Sequence, residues 1–220
     1  MSVDQLRDAL ITVMPVFPLP GAALFPSQQM PLHIFEPRYR QMVRDALDTQ
    51  PYLVLAGISD AQEGENPALP KIATVGKITA HHRLSDGRYN LILEGISRAQ
   101  IREEPSERLY RRVHCTLLPE PVGELAECAP TDRMTMLSLV GRLMALARAR
   151  SPSVSFEIPE GISAAKLSDF VAERLLIDGS ARQRVLDALN APERVLQVTQ
   201  SLIELLDELA PRSEQVHRWS

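Results

Sequence analysis

The sequence has little of what would mark several common classes of protein. Its 220 residues contain two cysteines, and 28 acidic against 24 basic residues give a formal net charge of −4. Without a basic excess, a general polyanion-binding protein is not indicated. Cys115 and Cys128 belong to no C-x-x-C pair, and no neighbouring Cys/His set has zinc spacing. We therefore expect no metal site and two free thiols in a reducing compartment, with a disulfide as the alternative.

Long apolar runs and targeting signals are also missing. Residues 1–10 are charged and contain no apolar core, which argues against a secretory signal peptide. No stretch approaches the roughly 18 apolar residues that a membrane-spanning helix needs. The composition, 45% apolar and 24% charged, is ordinary for a globular protein. We expect a soluble, cytoplasmic protein that does not bind membranes, built as one large domain or two small ones.

The most informative stretch runs from Phe17 to Arg40. Its short apolar runs are punctuated by prolines, and each proline limits strand pairing because it has no N–H to donate. Pro37 suits the first turn of a helix, and Tyr39 and Val43 belong to an apolar face at helical spacing. The stretch therefore predicts a strand, a turn, a second strand and then a helix that begins at Pro37.

Further short strands are predicted as far as residue 118. The nearly continuous apolar run at 52–58 predicts a strand buried on both faces. Alternating apolar residues on both sides of Asp86-Gly87 predict a hairpin. The predicted strands span residues 13–19, 52–58, 76–84, 89–93, 95–101 and 111–118. About six short strands with one embedded helix predict a closed or partly closed β-barrel-like part.

The pattern changes from strands to helices near residue 119. Apolar residues at helical spacing predict four amphipathic helices, the first of them capped by Thr or Asp. Such helices are marginal alone, so their apolar faces should pack together as a bundle. The predicted helices span residues 131–150, 163–177, 180–189 and 192–209. The sequence thus predicts an α+β chain with a β-rich part over residues 1–119, a helical bundle over 120–212 and a flexible tail over 213–220.

Several blocks of sequence resemble one known family in their order and spacing. They are FPLPGAALFP at 17–26, MPLHIFEPRYR at 30–40, VGKI at 75–78, LSDGR at 84–88 and LEGISRAQI at 93–101. Together they are similar to the substrate-binding domain at the N-terminus of Lon, the ATP-dependent protease. The resemblance implies a PUA-like β-barrel followed by helices. It also implies a module that binds unfolded or apolar polypeptide segments, with a protease or chaperone as an expected partner.

The same resemblance raises proteolysis, which the family carries out in separate motor and peptidase domains. The chain has no G-x-x-x-x-G-K-[ST] loop for ATP. Ser163 and Lys166 match S-x-x-K, but the S-D-N and K-T-G motifs of penicillin-binding enzymes are missing. Ser163 is better interpreted as the N-cap of a helix. We therefore expect a non-catalytic protein without a cofactor.

An excess of apolar side chains in irregular segments indicates where a ligand would bind. Some of them are expected to form an exposed patch that binds polypeptide, although they could instead fill the core. The expected peptide-binding residues are Leu24, Phe25, Leu32, His33, Phe35 and Tyr39.

Two other hypotheses remain open at this stage. A PUA-like barrel could bind nucleic acid or a small ligand, but the acidic net charge weighs against nucleic acid. Arg98 and the arginines after it alternate with glutamates, which predicts a solvated mixed face. A hydrolase would need a converging nucleophile and base, which the sequence does not offer. His81 and His82 are neighbours on a strand, so their rings point to opposite faces and cannot chelate one metal.

Overall fold

The computed structural model describes residues 12–58 and 67–209. The predicted flexible tail over 213–220 lies outside the described residues, as do residues 59–66. The strands are β1 (Thr12–Pro20), β2 (Gln29–Ile34), β3 (Tyr52–Ile58), β4 (Ile72–Arg83), β5 (Tyr89–Glu104) and β6 (Arg112–Leu118). The helices are α1 (Pro37–Thr49), α2 (Pro130–Arg150), α3 (Ala164–Leu175), α4 (Gly179–Asp187) and α5 (Ala191–Leu209), with a 3₁₀ turn at Gly123–Ala126. The predicted α+β class is confirmed.

The strands form one mixed sheet in the order β2-β5-β4-β3-β1-β6. Among the described strands, only the β1–β3 pair is parallel, and a further β5–β6 pairing connects the two sides of the sheet into a ring of paired strands. β5 is 16 residues long, whereas the sequence predicted two separate strands there. Its first half pairs with β2 and its second half with β6. One long strand therefore joins two parts of the sheet.

The predicted hairpin joins β4 to β5. Gly87 has a φ of +83°, which a residue with a Cβ rarely adopts. Its N–H donates to the carbonyl of Leu84 over 2.9 Å, and the Leu84 N–H donates to the carbonyl of Arg88 over 2.8 Å. The Asp-Gly signal was therefore sufficient to locate this turn.

Buried apolar side chains form three clusters. The first lies between α1 and the sheet and includes Tyr39, Met42 and Val43, on the helical face that the sequence predicted. The second comes from the strands of the ring and includes Val16 and Val113. The third and largest lies among α2 to α5. The PUA-like barrel, the bundle arrangement and the boundary near residue 119 stay predictions.

The helices of the C-terminal half begin in different ways. The Ser163 hydroxyl accepts from the Lys166 N–H over 3.4 Å and caps α3, as predicted. The predicted Thr or Asp cap on α2 is wrong, because Ala129 is the N-cap and Pro130 opens the helix. Among the described residues, no helix is both long enough and apolar enough to cross a membrane.

A buried cluster of charges joins β5 to the helical half. We call this cluster the seam network; it consists of Arg98, Glu120, Asp169 and Arg194. Arg98 makes a bidentate pair with Asp169, at 2.7 and 2.9 Å, and also donates to Glu120 over 3.0 Å. Arg194 donates to Glu120 over 2.9 Å and to Asp169 over 3.3 Å. Four segments that are distant in sequence thus meet at one point.

The two arginines of the seam network have almost no contact with solvent, since each side chain is 1% exposed. Burial alone would lower the pKa of Arg98, but the carboxylates of Asp169 and Glu120 outweigh burial and raise it. Arg98 also donates to the carbonyl of Leu186 over 2.9 Å. The predicted solvated position of Arg98 is therefore wrong, because its acidic partners come from the helical half rather than from the neighbouring glutamates.

Candidate functional site

A groove with a volume of about 490 Å³ opens between β1, β2 and the first turn of α1. Its walls are residues 17–20 of β1 and residues 31–36, 38 and 39, which run from β2 through a short connection into the start of α1. Ile58, Pro67 and Arg111 complete it. The lining is mainly apolar and contains an unusual number of proline rings. We call this feature the β1–β2 groove.

Local packing fixes the inner wall of the β1–β2 groove. The rings of Phe17 and Tyr39 meet edge to face, with centroids 4.6 Å apart. Tyr39 is placed there because Pro37 opens α1, so that the third residue of the helix faces the sheet. Burial raises the pKa of the Tyr39 hydroxyl, so this residue stays neutral at physiological pH. The inner wall is therefore preformed and uncharged at Tyr39.

Phe35 forms an exposed part of the groove rim. The residue is 59% exposed, although phenylalanine is usually buried. The ring stacks against the imidazole of His33 at a centroid distance of 6.2 Å. The imidazole is held in turn by Asn90, with Nδ1 and Oδ1 2.6 Å apart. Phe35 is thus presented to solvent by a polar pair on β2 and β5.

The six predicted peptide-binding residues divide into two sets. Leu32, His33, Phe35 and Tyr39 all line the β1–β2 groove. Leu24 and Phe25 are 2% and 0% exposed. Leu24 packs in the cluster around α1, and Phe25 packs against the helices of the C-terminal half.

Leu24 and Phe25 are therefore core residues, unavailable to a ligand in this structure. A tight backbone contact with Gly95 explains why this segment is buried. The carbonyl of Phe25 lies against Gly95, where an added Cβ would be 2.3 Å away from it. The segment that carries both residues is thus held tightly against β5.

The sequence interpretation missed three charged residues of the groove, Glu36, Arg38 and Arg111. Arg38 donates to Glu36 over 2.8 Å, and its guanidinium lies 4.6 Å above the Tyr39 ring centre. The position of Glu36 before Pro37 suggests that its carboxylate either caps α1 or interacts favourably with the positive end of the helix. Glu36 occupies the N-cap position but accepts no capping hydrogen bond, so the first alternative is wrong. Because Arg38 comes next to Tyr39 within the block MPLHIFEPRYR at 30–40, its position could have been anticipated.

Arg111 forms the end of the groove and is held in a fixed position. Its guanidinium makes a bidentate pair with Glu103, at 2.6 and 2.7 Å, and donates to the carbonyl of Pro67 over 2.7 Å. The hydrogen bonds from Arg111 lower the pKa of the Glu103 carboxyl. Since Pro67 and the other groove residues are far from Arg111 in sequence, local pattern gives no sign that Arg111 belongs to the groove.

Other candidate sites offer less. The Ser163 hydroxyl is used as a cap and lies beside a wide, open hollow that Lys166 and Glu124 also line. His82 shares an alternating face with Ile78 and Leu84, which predicts that it is half-buried. It is exposed instead, because the end of the β4–β5 hairpin extends beyond the core. Within residues 12–58 and 67–209, no three His, Cys, Asp or Glu side chains converge as ligands for a metal ion.

Comparison with known proteins identifies the family of this chain. The family described as the ATP-dependent protease La (LON) substrate-binding domain matches residues 13–204. The chain therefore belongs to the Lon substrate-binding domain family. Among curated relatives, it is 26% identical to Lon protease 2 of Bdellovibrio bacteriovorus and 27% identical to Lon protease of Azospirillum brasilense. These alignments cover 97% and 84% of this chain, but 27% and 23% of the relatives, so the chain spans about a quarter of their length.

Two solved structures share the fold. One is a Lon N-terminal domain protein from Xanthomonas campestris, with a TM-score of 0.60 and 22% identity over 91% of this chain and 99% of that one. The other is the N-terminal domain of the Mycobacterium avium complex Lon protease, with a TM-score of 0.61 and 15% identity over 88% and 99%. The matches concern the substrate-binding domain rather than the ATPase or protease domains.

Proposed function

We propose that this chain is a non-catalytic polypeptide-binding domain that recognises unfolded or apolar protein segments through the β1–β2 groove. The observation that carries the proposal is Phe35, an aromatic side chain 59% exposed on the rim of an apolar groove. Exposed aromatic residues beside a pocket are typical of the few contacts that dominate a protein interface. Membership of a substrate-binding family supports protein as the ligand.

The chemistry of the groove suits polypeptide better than nucleic acid. Its two arginines are both paired with carboxylates, Arg38 with Glu36 and Arg111 with Glu103. A phosphate backbone would need cations free to replace its counterions. Apolar side chains of an unfolded chain, in contrast, would gain free energy by leaving water against Leu32 and Phe35. Degradation would then be the task of a partner protease, to which this domain presents its substrate.

The test uses a labelled, permanently unfolded protein such as reduced casein and measures binding by fluorescence anisotropy. Replacing both groove residues (Leu32→Ser with Phe35→Ser) should weaken binding at least tenfold, because the apolar contacts are lost. Circular dichroism and urea unfolding establish that the variant is folded. Phe35→Ser alone serves if the double variant is unstable, since that side chain is mostly exposed.

A matched control removes as much exposed apolar surface elsewhere. Val122 and Ile177 are 79% and 83% exposed and do not line the groove. Val122→Ser with Ile177→Ser should leave casein binding unchanged. Equal binding by the groove variant and the wild-type protein would disprove the proposed site, and loss of binding in the control would point to non-specific adhesion instead.

A further inference from the structure

The β1–β2 groove is bordered by two strand edges that have no strand partner among the described residues. β1 pairs with β6 only through Thr12–Pro15, so the edge of residues 17–20 that faces away from β3 is open. β2 pairs with β5 and with no other described strand. No residue of β5 lines the groove, so the groove lies on the open side of β2. Each border therefore has backbone groups without a ladder to join.

The hydrogen bond of Val16 gives the direction of the backbone groups on β1, and two prolines determine which groups are available there. The Val16 N–H donates to the Arg111 carbonyl over 3.0 Å, away from β3 and beside the groove. Successive residues of a strand alternate in direction, so Pro18 and Pro20 face the same side as Val16. Since neither proline has an N–H, this border offers carbonyl acceptors alone.

The same argument gives the direction of the groups on β2. The Gly95 N–H donates to the Gln28 carbonyl over 2.8 Å, which places even-numbered residues at the positions bonded to β5. This alternation places Pro31 at a position that is not bonded to β5, which is consistent with its lack of an N–H to donate. Gln29, Pro31 and His33 therefore direct their backbone groups to the open side, and all three residues are exposed.

We infer that the ligand binds as an added β-strand along the open edge of β2, pairing its backbone with Pro31 and His33. This inference rests on the proposed function and specifies how the polypeptide is recognised. The ligand would donate N–H groups to the Pro31 and His33 carbonyls and accept from the His33 N–H. Its side chains would alternate between the apolar groove and the outer face beside His33.

The inference defines the class of substrate. Main-chain hydrogen bonds are common to most sequences, so one edge can bind many unrelated unfolded chains, while the groove selects apolar residues at every second position. A segment rich in proline would bind poorly, because it lacks the N–H groups that the carbonyl acceptors require. The edge therefore selects extended segments with alternating apolar residues and few prolines.

The test compares two variants that differ in one backbone group. His33→Ala and His33→Pro both remove the imidazole, its contact with Asn90 and its stacking on Phe35. His33→Pro also removes the N–H, which faces away from β5, so the β2–β5 pairing keeps its hydrogen bonds. The probe is a labelled eight-residue peptide with alternating valine and threonine. We expect His33→Pro to bind it about tenfold more weakly than His33→Ala.

A second measurement keeps the inference testable if His33→Pro does not fold. The same peptide with its alternate amides N-methylated, in either of the two possible sets, is tested on the wild-type protein. At least one set should lose binding about tenfold, since its methyl groups replace the N–H groups that face β2.

The outcomes separate this inference from the function on which it rests. Equal binding by the two His33 variants, or by the methylated and unmethylated peptides, would overturn the added strand while leaving polypeptide binding intact. Failure of the wild-type protein to bind either casein or the peptide would overturn both. Dimers in sedimentation experiments that the peptide cannot dissociate would show that a second copy occupies the edge, which also overturns the inference.

Discussion

Two places in this molecule bring distant segments together, and they do so with opposite chemistry. The seam network joins residues 98, 120, 169 and 194 through ion pairs, and the side chains of Arg98, Asp169 and Arg194 are almost completely buried. The β1–β2 groove brings residues 17–20, 31–36, 38, 39 and 111 together but leaves Phe35 exposed and two strand edges without a partner among the described strands. The first place is held together by paired charges, and the second is an open apolar surface.

The difference shows how stability and recognition are divided within one chain. A buried charge is tolerated only when its partners compensate for lost hydration, so each member of the seam network depends on the others. An exposed ring or carbonyl is hydrated in the free protein and makes little contribution to folding. Changes at the seam should therefore alter stability, whereas changes at the groove should alter binding.

The largest expected effect follows from Asp169→Ala. This change leaves the buried guanidiniums of Arg98 and Arg194 with Glu120 as their remaining carboxylate. Breaking a buried ion pair from one side typically costs about 3–5 kcal/mol. Urea unfolding followed by circular dichroism measures the loss in free energy. Glu204→Gln is the control, because its pair with Arg184 is exposed and should contribute about 1 kcal/mol or less. Similar losses in the free energy of unfolding for both variants would contradict the expected difference between a buried and an exposed ion pair.

A smaller, pH-dependent effect is expected for Glu103→Gln. The folded-state pKa of Glu103 lies below its ordinary value of about 4.3, chiefly because of the hydrogen bonds from Arg111. Its stabilising contribution is therefore complete above that value and is lost as the pH falls through the lower folded-state pKa. The variant should be less stable than the wild type at pH 7, and the two should converge at acid pH. A constant difference across the pH range in urea unfolding would disprove this.

Phe35→Ser tests the other side of the comparison. Its ring is mostly in water already, so its removal should change the free energy of unfolding by no more than about 0.5 kcal/mol. Casein binding measured on the same samples should still fall. A loss of stability as large as that of Asp169→Ala would mean that the groove is part of the core.

The smallest effect concerns reactivity alone. Burial raises the pKa of Cys115 to about 12, and this residue belongs to the cluster of the ring strands. Cys128 is only partly buried, although burial and the charge of Asp132 also raise its pKa. Titration with Ellman's reagent at pH 8 should modify Cys128 in the native protein and Cys115 only after unfolding. Equal rates for the two thiols would show that the ring interior opens readily.

The sequence was most informative where a local pattern decides the structure. The Asp-Gly turn, the apolar face of α1 and the Ser163 cap depend on neighbours within a few residues, and all three were predicted. Phe35 and Leu32 were likewise predicted to lie on a candidate binding surface, because irregular segments there contain an excess of apolar side chains. The structure puts them on the groove, and their role in binding stays a prediction.

Long-range partners explain the failures. Nothing near Arg98 in sequence reveals Asp169 or Arg194, so a buried arginine resembled a solvated one. Leu24 and Phe25 share the composition of Leu32 and Phe35, yet the contact of their segment with Gly95 buries them. Burial of such residues depends on which distant element packs over them, and composition does not contain that information.

The seam network also constrains how the chain folds. The ion pairs around Arg98 are complete only when Asp169 and Arg194 have been synthesised, 71 and 96 positions later (98 to 169 and 98 to 194). During synthesis, the strands would therefore wait with an incompletely paired guanidinium until residue 194 has left the ribosome. The two halves should consequently unfold as one cooperative unit, and the strands expressed without the helices should be only partly structured.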